Sequence, residues 1–206
     1  MVFFYLQKIG ASMGAKSSPA LANLFVFWWE NFFIFSEHNP YRDNIAWFGR
    51  YVDDVIVIWK NNESSANVFM SYLNDNHCNL RFTHTWSKTC TPFLDVLLVD
   101  NGDSIEVRPF RKAISGNTLL RADSCHPEHT IKGVPVGKLI RGKRNSSEES
   151  VYQAEANAMC TRFRQRGYPN WILDKARKRV DVIQRSDLLT NKEHTQPGEL
   201  RQRLVA

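Results

Sequence analysis

Arg50-Tyr-Val-Asp-Asp-Val-Ile-Val-Ile-Trp59 sets two adjacent carboxylates, Asp53 and Asp54, between runs of aromatic and β-branched residues. Five of the six residues ahead of Lys60 are apolar, and Ala46, Trp47, Phe48, Tyr51 and Val52 precede the pair. Both flanks read as strands, over 45–52 and 55–60, with the acids at the tip of a hairpin. Two like charges where buried strands meet cost free energy unless a cation or solvent neutralises them. The pattern therefore fits a metal-binding tip, or an Asp-Asp turn that faces water.

Working outward, Ser18 is placed to cap and Pro19 to begin a helix over 19–36, which His38-Asn-Pro40 ends. That stretch is very apolar, but Asn23, Glu30 and Asn31 interrupt it and it is short for a membrane span, so it reads as a buried helix. Ser64 or Ser65 starts a second helix to about 75, with Val68, Phe69, Tyr72 and Leu73 at helical spacing. Strands are expected at Leu80–Ser87 and Phe93–Val99, and Asn101-Gly102 signals a hairpin whose return is Ile105–Phe110. Beyond Arg111 helix signals take over. Pro135 opens a short helix, and Ser146-x-x-Glu149 reads as a capping box for a helix to about 166. Gly167 and Pro169 separate it from a third helix over about 170–184. Residues 186–206 read as a loose tail.

Charge is divided unequally. Residues 1–107 carry 7 Lys+Arg against 11 Asp+Glu, and residues 108–206 carry 20 against 10. A basic second half suits a polyanionic partner, and a solvated basic helical surface is the plainer reading of the same numbers. The cysteines (Cys78, Cys90, Cys125, Cys160) contain no C-x-x-C pair, which fits scattered reduced thiols. Cys125-His-Pro-Glu-His129 lacks a second ligand pair and reads as structural. Lys8 and Lys16 follow an apolar start, the reverse of a secretory leader, so an intracellular protein (nuclear or cytoplasmic, not secreted) without a membrane partner is expected.

Three blocks resemble reverse transcriptases, most closely those of Penelope-like retroelements. Gln7-Lys-Ile-Gly10-Ala-Ser-Met13-Gly14-Ala-Lys-Ser-Ser18-Pro19-Ala-Leu-Ala-Asn23 is similar to the family's glycine loop and following helix. Tyr51-Val-Asp53-Asp54 matches its metal-binding tetrapeptide. Phe93-Leu-Asp95-Val96 and Phe110-Arg-Lys-Ala-Ile-Ser-Gly-Asn117-Thr-Leu-Leu120, with Ser124-x-His126-Pro127-x-His129 and Arg141-x-x-Arg144, resemble the helix-turn-helix-like region after the palm.

The resemblance implies an α+β fold. Residues 1–107 would form a partial polymerase palm, an antiparallel sheet with packed helices, and 108–185 an all-α thumb or helix-turn-helix-like domain. It implies RNA-directed DNA polymerisation by two Mg²⁺ (or Mn²⁺) ions in a full-length protein, with Asp53 and Asp54 as catalytic metal ligands. Gly14, Ser18, Pro19 and Tyr51 would meet template or substrate. Lys138, Arg141, Lys143, Arg144, Arg177, Lys178 and Arg179 would hold the backbone of an RNA template, DNA primer or duplex, and Arg162, Arg164 and Arg166 would add to that grip. The family's further catalytic Asp lies upstream of the glycine loop, whereas the first acidic residue here is Glu30. The resemblance thus implies an incomplete catalytic set, weak metal binding and no polymerase activity from this chain alone. The alternative is a non-catalytic nucleic-acid-binding helix-turn-helix protein. Neither reading points to a protein partner.

Overall fold

The computed structural model describes residues 5–6, 8, 10–12, 14–112 and 116–189. The chain divides into two compact units, Met1–Trp86 and Ser87–Ala206. Both are mixtures of helices and small antiparallel sheets, and no helix among the described residues is long and apolar enough to cross a membrane.

In the first unit α1 (Ser18–Phe33) precedes the hairpin of β1 (Ile45–Tyr51) and β2 (Asp54–Trp59), and α2 (Glu63–Asn74) follows. The strands pair antiparallel from Ile45↔Trp59 to Tyr51↔Asp54, close to the expected register. The core gathers Trp29, Ile34, Phe69 and Leu73, with Phe33, Tyr41, Phe48, Trp59 and Phe82 around it. Trp29 stacks on Phe33 and Phe82 at 5.1 and 5.0 Å, and Trp59 stacks on Phe69 at 4.8 Å.

Several expectations are corrected here. Of α1, only Trp29 and Glu30 are buried, while Leu21, Leu24, Phe25, Phe27, Trp28 and Phe32 are exposed, so it is not a buried helix. Ser17 occupies the cap position without a side-chain bond, and Ser18 instead donates to the Ser12 carbonyl at 2.7 Å. The second helix is capped by Asn62, whose Oδ1 accepts from Ser65 N–H at 2.9 Å. Leu80–Ser87 forms no ladder. Its apolar side chains alternate, but side-chain amides hold its start: Asn74 both accepts from and donates to the Phe82 backbone.

In the second unit β3 (Cys90–Phe93), β4 (Val96–Asp100) and β5 (Ile105–Pro109) form a meander in sequential order. Phe93–Val99 is therefore two strands joined at Leu94-Asp95, with Leu94 at φ 55. Asn101-Gly102 makes the expected turn, Gly102 standing at φ 86. The 107/108 boundary cuts through β5, so the helical part is not all-α. Val107 and Ser147 exchange bonds at 3.0 and 2.9 Å, tying the meander to the connection between the next two helices.

Those helices are α3 (Glu128–Arg144), α4 (Glu149–Arg164) and α5 (Asn170–Asp181), followed by α6 (Arg185–Leu189). Pro135 lies inside α3 rather than at its start, where its ring nitrogen cannot donate to the Ile131 carbonyl. The capping box does not form: Ser146 is buried and its hydroxyl donates back to the Gly142 carbonyl at 2.8 Å, closing α3 instead of opening α4. The expected tail is helical up to Leu189, and its remainder lies outside the described residues.

The helical core is built from Leu139, Tyr152, Ala156, Met159, Phe163, Tyr168, Ile172, Leu173, Ala176 and Val180. Positions 152, 156, 159 and 163 fall on one face of α4, and 172, 173, 176 and 180 on one face of α5, which is the 3.6-residue periodicity of a packed helix. Between them Gly167 adopts φ 84, its N–H donating to the Arg164 carbonyl at 2.9 Å. A Cβ there would make ordinary contact with Ala122, so the constraint is the backbone angle rather than space. Gly167→Ala is expected to lower stability by about 1 kcal/mol, read as a fall in urea midpoint at unchanged slope.

Candidate functional site

The residues singled out in the sequence fall into two groups, one in each unit. At the hairpin tip the chain turns through Val52 and Asp53, and Val52 adopts φ 57, a left-handed value that a β-branched side chain disfavours. Arg50 holds this turn. Its Nη1 donates to the Val52 carbonyl at 2.9 Å and to Asn23 Oδ1 at 3.1 Å, while Nε and Nη2 clasp the buried carboxylate of Glu30. The tip is thus fixed to α1 by a bidentate ion pair with both side chains largely out of water. Asp53, Asp54 and Tyr51 are exposed beyond it.

Gly14 stands at φ 91 in an exposed turn with open space where a Cβ would be, and Pro19 occupies the first turn of α1. Among the described residues no three His, Cys, Asp or Glu side chains gather as a metal cluster. Asp53 and Asp54 would by themselves offer a partial ligand set, and a Mg²⁺ ion there would take its remaining oxygens from water or phosphate. Near Cys125, the Ser124 hydroxyl and His126 Nδ1 lie 3.0 Å apart, both in the loop ahead of α3.

In the second unit the expected cations separate into two kinds. Lys138, Arg144, Lys178 and Arg179 are exposed. Arg141 is mostly exposed, yet its Nε donates to Asp95 at 2.6 Å, and Asn145 donates to the same oxygen at 2.9 Å. Asp95, at the β3–β4 turn, thereby fastens the meander to α3. Burial pushes its carboxyl up, but the hydrogen bonds from Arg141 and Asn145 and the charge of Arg141 outweigh this, leaving its pKa below the ordinary value.

Lys143 and Arg177 are engaged by partners within the helical unit. Lys143 is 5% exposed, lies over the Tyr152 ring at 4.8 Å and donates to the Asp181 carbonyl at 3.0 Å. A cation on the last carbonyl of α5 closes that helix end where its dipole is negative. Arg177 donates to Gln153 and, at 3.2 Å, to Asn157, and pairs with Asp181 at 3.5 Å. Tyr152 donates to Asp181 Oδ1 at 2.9 Å, and burial followed by that carboxylate pushes its phenol well above the usual range. Charge type alone could not distinguish these two from surface cations; the 143/152 and 152/177 pairings exist only once three helices meet.

The sequence reading also missed Trp171. It is 56% exposed on α5, although its neighbours Ile172 and Leu173 are buried, and Lys132 Nζ sits 5.3 Å over its ring. The outward face of α5 is therefore Asn170, Trp171, Asp174, Lys175, Lys178 and Arg179. The tight turn at Gly167 presents this face at the end of α4, the arrangement of a helix-turn-helix.

A family model for the animal helix-turn-helix domain matches residues 118–178, from just ahead of α3 into α5. No curated protein and no solved structure matches the chain.

The Asp95 anchor has a pH signature. A carboxyl depressed on folding contributes stability above its ordinary pKa of about 3.9 and loses it as pH falls through the folded value. The urea-midpoint advantage of the wild type over Asp95→Asn is expected to shrink from about pH 5 downward. An advantage that stays constant through acidification would show that the Arg141 clasp does not depend on that charge.

Proposed function

We propose that the chain binds nucleic acid through the helix-turn-helix of α4 and α5, with α5 lying in a groove. The observation that carries this reading is the domain match over 118–178, coinciding with a three-helix unit whose apolar faces are buried and whose last helix turns Lys175, Lys178 and Arg179 outward. Cations spaced along one face neutralise phosphates and release counterions, giving affinity that falls with salt. Lys138 and Arg144 on α3 add to the positive surface. Toward the N-terminal end of α5, where base contacts are made in such motifs, stand Asn170, Trp171 and Asp174. That set offers one amide suited to base edges, so the grip is mostly electrostatic and only weakly sequence-selective.

A second reading, a reverse-transcriptase fragment, is favoured by the hairpin: Tyr51-Val52-Asp53-Asp54 forms a tight exposed tip held by Arg50. In that reading RNA template and DNA primer are the partners, and divalent metal supplies charge neutralisation at the reacting phosphate in the full-length protein.

Duplex binding measured by fluorescence anisotropy at several salt concentrations tests the first reading. The wild type is expected to bind with a negative salt slope, and Lys175→Gln with Lys178→Gln to weaken binding and reduce that slope by about 2. A chain that binds no duplex at low salt sinks this reading. For the second, Mn²⁺ is expected to broaden amide resonances around 51–55, and Asp53→Asn to abolish the effect. Equal broadening in the variant removes the metal-tip reading.

A further inference from the structure

Three points of the chain ahead of α3 bond in succession to α4 and the turn that follows it. Arg111 bonds to Glu155, Asn117 Nδ2 donates to the Arg162 carbonyl at 2.8 Å, and Ala122 N–H donates to the Arg166 carbonyl at 2.9 Å. Glu155 and Arg162 are two helical turns apart and share a face of α4, and Arg166 follows in the turn after it. Arg111 and Arg162 both act on the Glu155 carboxylate, and Arg166 adds a third guanidinium beside Arg162.

Their charges are unbalanced. Arg111 already holds Glu155, whose charge also attracts Arg162, and Arg162 donates to the Gly116 carbonyl at 3.4 Å. Arg166 makes no side-chain hydrogen bond among the described residues, although its Nε is buried. Desolvation and then the charge of Arg111 lower the pKa of Arg162, with Arg166 adding to the repulsion. A buried donor without an acceptor, beside a like charge, is destabilising unless an anion is present. Planar guanidiniums with free N–H groups match the oxygens of phosphate two at a time.

We propose that Arg111, Arg162 and Arg166 form a phosphate-binding site between Arg111 and the C-terminal end of α4. The site deepens the nucleic-acid reading and rests on it for the identity of the ligand, a backbone phosphodiester, because the same chemistry would also accept free pyrophosphate.

The experiment uses the full chain. Thermal melting is followed with and without inorganic pyrophosphate, and duplex binding by anisotropy, for wild type, Arg166→Gln, Arg166→Lys and Lys60→Gln. Pyrophosphate is expected to raise the melting temperature of the wild type and of Lys60→Gln, and to do so far less for Arg166→Gln. Without ligand, Arg166→Gln should melt no lower than wild type, because it removes repulsion; a merely structural arginine would lower it. Duplex affinity should fall several-fold in Arg166→Gln, with partial recovery in Arg166→Lys.

Arg166-dependent pyrophosphate binding without duplex binding supports the site with free phosphate compounds as its ligand, while overturning the helix-turn-helix reading. Duplex binding that is unchanged in Arg166→Gln, with no pyrophosphate effect in any protein, overturns the site and leaves that reading standing. If Arg166→Gln melts well below wild type without ligand, and Arg166→Lys restores melting but not pyrophosphate binding, the arginine is structural and the proposal fails.

Discussion

The contact between the Tyr152 hydroxyl and Asp181 is where the helical unit is decided, because every helix of the bundle meets there. Tyr152 comes from α4 and Asp181 from the end of α5, while Lys143, from α3, lies over the ring and closes the same helix end. Arg177 joins the arrangement, pairing with Asp181 at 3.5 Å and lying 5.9 Å from the centre of the Tyr152 ring. Removing Asp181 would leave the buried Tyr152 hydroxyl without its acceptor, and such knots hold geometry more than they add net stability. The apolar faces of α4 and α5 allow the helices to rotate somewhat against one another; the knot allows one setting. The outward face of α5 is a consequence of that setting.

The first unit solves a different problem. Its hairpin must turn tightly with valine rather than glycine at the left-handed position, and it relies on Arg50 to hold the carbonyl of that same residue. Glu30 in turn holds Arg50 from α1. A charged clasp behind the tip leaves the two acids in front of it exposed, with no ion pair to their carboxylates among the described residues. The neighbouring face of α1, rich in exposed Phe and Trp, shows that apolar composition is no guide to burial when a helix has one packed side.

Legibility in the sequence followed the range of the interactions. The Asp53-Asp54 hairpin, the Asn101-Gly102 turn and the Gly167 break were readable because each depends on residues within a few positions. The helices over 149–164 and 170–181 were readable from their apolar period. What could not be read needed distant partners. Phe93–Val99 looked like one strand because nothing local signals a turn at Leu94-Asp95, which is stabilised from α3. Ser146 looked like an opening cap because its true acceptor belongs to the preceding helix. Lys143 and Arg177 looked like surface cations because their partners lie 38 and 24 residues away.

The meander ahead of the bundle bears on where a self-sufficient module starts. Asp95 neutralises Arg141 and engages Asn145, and Val107 exchanges both its backbone groups with Ser147. These bonds reach back more than twenty residues before the first position of the matched domain. Excised at that position, the three helices would lose the acid that neutralises Arg141 and the backbone partners that order the bend between α3 and α4. The bonded unit is thus wider than the segment whose pattern is recognisable, and it includes a ribbon that contributes no residue to α5.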